Sequence, residues 1–254
     1  MPRLRIGEWS VEVERELLTL ASARCSFGPF LVEAASPRLV IQRGAIPAGE
    51  GRPLNPRRPE GPRLLIRDMV LHVEPPQDAL DAELALRAAF HLGTVGQGGV
   101  LLHASGVAFG GTALVAVGPS GAGKSTFARL ARRAGGELLS DEVVSLLPDG
   151  RVLGTPFRSD PDMVGTVREA GLGGLFALVH APAESLEPLA PVAVVPLLLA
   201  QAFRAPLVGG LTQAGLLQRV AALASHFPAW CFSFRNHPEA GAYLRRWCES
   251  HAVR

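Results

Sequence analysis

Lysine is almost missing from this chain: all but one of its 25 Lys and Arg residues is arginine, and the exception is Lys124. Arginine's planar fork cannot stand in for a compact ammonium threaded between oxygens, so the one surviving lysine marks a position held by its chemistry. Cysteine is scarce too. Cys25, Cys231 and Cys248 are odd in number and far apart, which excludes a disulfide framework and a zinc site and fits a reducing cytoplasm. Charge of one sign is also lacking. A formal net charge of +2 gives no footprint for nucleic acid or another polyanion, and the basic residues between Arg52 and Arg63 sit among prolines and glycines, as in a solvated loop. Long apolar runs are absent. The most apolar stretch, Pro191 to Phe203, is broken by Pro196 and falls short of the roughly 20 residues a membrane span needs, so it reads as a buried helix. Met1 to Trp9 carries Arg3 and Arg5 with no apolar run behind them, so no cleaved signal is expected.

What is present is a globular composition, 48% hydrophobic and 19% charged, in a chain of 254 residues long enough for one large domain or a domain with an appendage. From Glu8 to Val73 short alternations such as Trp9-Val11-Val13 and Leu39-Val40-Ile41 predict strands, with little helical periodicity. Ala48 to Pro62, dense in proline and glycine, predicts the tip of a long hairpin joining Arg38–Gln42 to Leu64–Val73. Asp78 can cap a helix whose apolar face includes Leu80, Leu84 and Phe90 and that ends at Gly93.

The rhythm then changes. Val100–Leu102, Ala113–Val117, strands within Glu137–Leu147, Leu175–Val179 and Cys231–Phe234 interleave with helices over Lys124–Ala134, Val192–Phe203, Leu211–His226 and Glu239–Glu249. Interleaving of that kind predicts an α/β core, residues 96–254, behind a smaller β-rich N-terminal part, residues 1–95. The N-terminal part shows no constellation of polar residues suited to phosphate or metal, so it is expected to contribute docking or packing and no catalytic group.

Gly118-Pro119-Ser120-Gly121-Ala122-Gly123-Lys124-Ser125 satisfies G-x-x-x-x-G-K-[ST], directly after a predicted strand and before a predicted helix. A chance match to the four fixed positions in a chain of this length is expected roughly once in a hundred cases or fewer. The chemistry follows from the residue types. Glycines let backbone N–H groups turn inward as an anion-binding nest, and the helix that starts there adds the positive end of its dipole. Lys124 would reach the β- and γ-phosphates of a purine nucleoside triphosphate, ATP being the expected one, and the Ser125 hydroxyl, followed by Thr126, would ligate Mg²⁺. A carboxylate near that metal is also required, and Asp141 and Glu142 follow the strand Glu137–Leu139 at a spacing that leaves room for one helix and one turn. Two adjacent carboxylates could divide the work, one on Mg²⁺ and one accepting a proton.

Leu101-Leu102-His103-Ala104-Ser105-Gly106, the loop Gly118 to Thr126, and Leu138-Leu139-Ser140-Asp141-Glu142 occur in an order and spacing that resemble the catalytic domain of HPr kinase/phosphorylase and the HPr-kinase-like serine kinases. The resemblance covers roughly residues 99–147. It implies a P-loop core of the HPr kinase and phosphoenolpyruvate carboxykinase type, ATP and Mg²⁺ as cofactors, and a hydroxyl of a peptide or protein, a Ser, as acceptor. His103, Asp141, Glu142 and Lys124 inherit catalytic roles by that likeness. The family's bacterial regulators usually carry Asp-Asp in place of Asp141-Glu142 and Glu in place of Thr126, and their downstream phosphorylase signature is not found. A carboxykinase uses a further lysine, which this chain does not have. A free small molecule as acceptor, a slowly hydrolysing switch module and assembly as a homo-oligomer all stay open. Arg158 in the loop Gly154–Asp160 is read either as a clamp on transferred charge or as a solvated loop arginine, and His226, His237 and His251 lack metal-ligand spacing.

Overall fold

The computed structural model describes residues 1–33, 36–203 and 211–251. The chain is a mixed α/β structure with two sheets. The first sheet draws on β1 (Arg3–Ile6), β2 (Trp9–Glu12), β3 (Leu39–Arg43), β4 (Arg52–Pro53), β5 (Arg63–Arg67) and β6 (Val70–Val73), in the order β1-β2-β3-β6-β5-β4. A short helix, α1 (Arg15–Ala21), lies between β2 and β3 and buries Leu17 and Ala21.

Two sequence expectations fail here. The predicted long hairpin does not form: β3 pairs with β6 in parallel, Val40 opposite Val70, and the hairpin is β5 with β6. Its two-residue turn is Asp68-Met69, both at positive φ (48° and 63°). Such a turn normally announces itself with Asn-Gly or Asp-Gly, and Met at the second position hid it. Helix α1 was equally illegible, because seven residues offer barely two turns of periodicity.

The second sheet contains β7 (Val100–Leu102), β8 (Ser105–Phe109), β9 (Thr112–Val117), β10 (Glu137–Ser140), β11 (Val144–Leu146), β12 (Arg151–Leu153), β13 (Glu169–His180), β14 (Ser185–Pro188) and β15 (Ala229–Phe234), with the backbone order β10-β8-β9-β13-β12-β11-β7. The long strand β13 organises it. One edge pairs in parallel with β9; the other takes β12 on its first half and β15, in parallel, on its second. Strand β8 pairs with β9 around Gly110-Gly111 and with β10 on its other side. Three further helices cover this sheet: α3 (Lys124–Arg133) and α6 (Pro238–His251) share one core cluster with Phe127, Phe176 and Phe232, while α5 (Gln213–His226) packs on the opposite side.

Helix α4 (Pro191–Gln201) is the apolar stretch expected to be buried, and it is not. Only Val194 and Leu198 are buried, and Val192 is 81% exposed. The helix lies along α5 and packs one apolar stripe, with Val195 and Leu199 half-buried beside Val194 and Leu198, while Val192 on its other side faces solvent, which high hydrophobicity alone cannot foretell.

Helix α2 (Ala79–Gly96) stands between the two sheets. The Asp78 carboxylate caps it by accepting from Asp81 N–H at 2.9 Å, as the sequence predicts, though the helix runs one turn past Gly93. Its residues Ala82, Ala85, Leu86, Ala89 and Phe90 share a core cluster with Leu4, Ile41 and Leu71 of the first sheet and with Leu101, Val143 and Phe157 beyond it. His91 on α2 is 2% exposed, and neither ring nitrogen has a partner among the described residues. Burial, aided by the Arg52 and Arg219 cations, holds its pKa down at about 4 against an ordinary 6.5.

That histidine makes the fold acid-sensitive. Below about pH 6.5 the unfolded chain takes up a proton that the folded chain refuses until about pH 4, so stability falls as pH drops through that window. The shift corresponds to roughly 3 kcal/mol at most. His91→Phe should therefore flatten the pH dependence of the urea midpoint between pH 7 and pH 4. A variant whose stability falls with the same slope as the parent would show that His91 is not the group responsible.

Candidate functional site

Strand β9 ends at Val117, and residues 118–123 turn back before α3 begins at Lys124. Gly123 is the N-cap of α3 at φ 99°, in the left-handed region where a side chain is strained, and a Cβ there would lie 3.2 Å from His180 and Phe234 at the ends of β13 and β15. With no capping side chain at Gly123, the N–H groups of the first turn of α3 are open to an anion. Gly118 is buried; Pro119, Ser120 and Gly121 are exposed; Ala122, Ser125 and Thr126 are half-buried.

Lys124 is 7% exposed, and its Nζ donates to the loop's own carbonyls, Gly118 O at 2.9 Å and Pro119 O at 3.1 Å. Burial lowers its pKa and Glu142 partly restores it. The ammonium is thus curled over the mouth of the loop with neutral acceptors, an arrangement in which phosphate oxygens would be stronger partners.

The acidic pair lies on the turn from β10 to β11, fixed by buried hydroxyls. Ser140 Oγ accepts from Glu142 N–H (3.2 Å) and Val143 N–H (3.1 Å) and donates to Phe157 O (3.0 Å). Ser105 Oγ on β8 donates to Asp141 O (3.0 Å), and Thr155 Oγ1 donates to Val143 O (2.5 Å). Ser105, Ser140 and Thr155 are all fully buried. Gly154 lets the next loop come close, since a Cβ there would sit 1.8 Å from Thr166 O.

This turn separates the two carboxylates. Asp141, 1% exposed, faces the glycine loop: its oxygens accept from Ser159 N–H at 3.2 and 3.3 Å and from Ser159 Oγ, and that hydroxyl is 3.2 Å from Ser125 Oγ. Burial pushes the Asp141 pKa up, against the Ser159 hydrogen bonds, which lower it. Glu142 points elsewhere. Its Oε1 accepts from Arg87 Nη2 at 2.9 Å and lies 3.6 Å from His103 Nδ1. His103 Nδ1 is also 3.0 Å from Glu142 O. The His103 pKa is lowered, first by burial, with Glu142 opposing and the Lys124 and Arg87 cations assisting. The two readings of His103 therefore merge: it bonds to backbone and borders the site.

Arg87 is the residue that sequence reasoning missed. It comes from α2, inside the part expected to give no catalytic group, and it reaches the acid turn through an ion pair. It pairs with buried Glu83 one turn earlier (2.5 Å) as well as with Glu142, and its guanidinium lies over Phe157 and Phe203 at 5.3 and 5.6 Å. Glu83 also pairs with Arg24. An i, i+4 Glu-Arg pair reads as ordinary helix surface, so Arg87 gave no distinguishing signal. Ser159 was missed for a similar reason, as one serine in a loop. Arg158 is half-buried, and no hydrogen bond directs it at Asp141: Nη2 donates to Ser22 O (3.3 Å) after α1 at an exposed position, and buried Nε has no partner among the described residues.

Among the described residues no three His, Cys, Asp or Glu side chains gather as a metal cage. The hard oxygens of Ser125 and Asp141 nevertheless suit Mg²⁺ held largely by phosphate, which asks for only one or two protein ligands. A groove of about 730 Å³ lies at the opposite end of the second sheet, lined by Thr112, Gly171, Phe227 and Arg245 among others, and brings together none of these groups. No helix among the described residues is long and apolar enough to cross a membrane.

No known family's sequence profile matches the chain, and no curated protein matches it. Among solved structures, the Hpr(Ser) kinase/phosphatase from Coxiella burnetii is similar over 60% of this chain and 95% of that one, at 14% identity and a TM-score of 0.32. A likeness that distant carries no weight for function, which has to be argued from the site.

The Arg87 contact is testable through His103. Removing the cation in Arg87→Gln takes away one influence that lowers the His103 pKa and frees Glu142 to pair with the ring, so the His103 titration followed by NMR should move upward. An unmoved or lowered midpoint would mean that Arg87 does not act on His103. Glu83 loses a partner in the same variant, and a cost of roughly 3 kcal/mol is expected in the melting curve.

Proposed function

We propose that the chain is an ATP-dependent kinase that transfers a γ-phosphoryl group to a hydroxyl, most simply a serine of a peptide or protein, with Mg²⁺ as the metal. The observation that carries this reading is the facing of two parts: the Lys124-bearing glycine loop on one side and the Asp141 carboxylate on the other, bridged by the Ser159 and Ser125 hydroxyls. Residues 1–95 would then serve as a docking and packing unit and residues 96–254 as the catalytic unit, joined through α2.

In this mechanism the loop amides and Lys124 hold the triphosphate, and Ser125 and Asp141 would hold Mg²⁺, which supplies charge neutralisation at the transferring phosphoryl. Asp141, whose present hydroxyl partner is Ser159, would take the proton of an acceptor hydroxyl that occupies that place. Glu142, engaged by Arg87, keeps His103 and the acid turn in place, so its role is positioning and not proton transfer. A second reading draws on the same ion pair: with Glu142 occupied, one free carboxylate remains, and a slowly hydrolysing nucleotide switch would need no more.

Asp141→Asn separates these readings. It keeps size and most hydrogen bonding while removing the charge, so Mg-ATP should still bind while single-turnover transfer or hydrolysis falls by about two orders of magnitude or more. A folded variant with the parent's rate would remove the kinase mechanism. Lys124→Ala should abolish or greatly weaken ATP binding by calorimetry, and undiminished affinity there would mean that the loop is not the nucleotide site.

A further inference from the structure

Ser159 occupies the place that a kinase reserves for its acceptor. Transfer to a hydroxyl asks for three things: the oxygen itself, a carboxylate within hydrogen-bond reach to take the proton, and nearness to the γ-phosphate. The Ser159 hydroxyl donates to Asp141 Oδ2, and its oxygen lies 3.2 Å from Ser125 Oγ on the first turn of α3, the hydroxyl next to Lys124. The side chain is exposed on its outer face. Loop closure does not demand this hydroxyl, because the Ser159 N–H already reaches both Asp141 oxygens.

The residues on either side of Ser159 are tied down. Phe157 O accepts from Ser140, Arg158 donates to Ser22 O, Asp160 pairs with Arg129 at 3.4 Å, and Asp162 O accepts from Arg132 at 2.8 Å. The loop therefore presents one serine, held from both sides, to the chain's own carboxylate.

We propose that Ser159 is a site of autophosphorylation in cis. This rests on the kinase reading above. The Ser159 Oγ forms a bond to the γ-phosphorus of ATP seated in the glycine loop, and the bond from that phosphorus to the β–γ bridging oxygen breaks. ADP leaves with the electron pair, and the hydroxyl proton passes to Asp141 along the existing hydrogen bond. The product is a phosphoserine of nearly two negative charges beside Asp141, which like-charge repulsion drives away from the carboxylate. The reaction is thus self-limiting, and it vacates the acceptor position for an external hydroxyl.

The test uses the full chain with Mg-ATP, read by intact mass and by mapping of the modified residue, with the rate measured at several protein concentrations. One phosphoryl group on Ser159 is expected, with a first-order rate that does not change with protein concentration. Ser159→Ala should lose it, with a melting curve to establish that the variant is folded, and Ser159→Thr should carry phosphothreonine at the same position. A modification at another residue, one retained in full by Ser159→Ala, or a rate that rises with concentration overturns the proposal. A chain that binds and hydrolyses Mg-ATP yet gains no phosphoryl group also overturns it and leaves the kinase reading standing. A chain that neither binds nor hydrolyses Mg-ATP overturns both.

Discussion

Helix α2 carries charge into the interior, and the arrangement around it follows from the need to pair that charge. Asp81 and Glu83 are 0% and 1% exposed, and a buried ion without a partner costs more than a fold of this size can bear. Their partners come from distant parts of the chain: Arg58 from the loop between β4 and β5 for Asp81, and Arg24 from beyond α1 for Glu83. Arg87, which closes on Glu83, has capacity for a second carboxylate and finds it in Glu142. The first sheet, α1 and the acid turn are thereby tied to one helix. Apolar burial supplies the bulk of the adhesion, but the ion pairs select which surfaces meet.

The same pairing divides the labour of the acidic dipeptide. Adjacent residues on a tight turn point different ways, and here Ser140 fixes the turn by taking two successive N–H groups. Asp141 is left to the loop and Glu142 to α2. The carboxylate that faces the glycine loop is the one whose pKa burial raises, and the one that faces Arg87 is held by a full positive charge. In the proposed mechanism, chemistry and scaffolding fall to different members of a pair that the sequence presents as equals.

Legibility in the sequence tracked locality. The glycine loop was readable because its backbone freedom, its lysine and its flanking strand and helix all lie within about fifteen residues, and the structure brings Lys124 and Ser125 to the start of α3 as the motif requires. The Asp78 cap was readable for the same reason. The parallel pairing of β3 with β6 was not, since the register is settled by which apolar face each strand turns to α2, far away in sequence. Strand β8 was hidden by Gly106, which interrupts its apolar pattern. Arg87 and Ser159 lay beyond reach because their importance is relational: nothing about an arginine in a helix or a serine in a loop tells which carboxylate it will meet.

The solitary Lys124 side chain, curled onto its own loop and nearly closed off from water, has a consequence outside catalysis. Apart from the chain's terminal amine it is the one primary amine the molecule owns. Acylating reagents and lysine acetylation therefore have a single internal target, and it lies in the glycine loop. On most proteins such chemistry scatters over the surface; on this one it either leaves the interior untouched or strikes position 124. A reagent aimed at amines becomes a reporter of whether that loop is open.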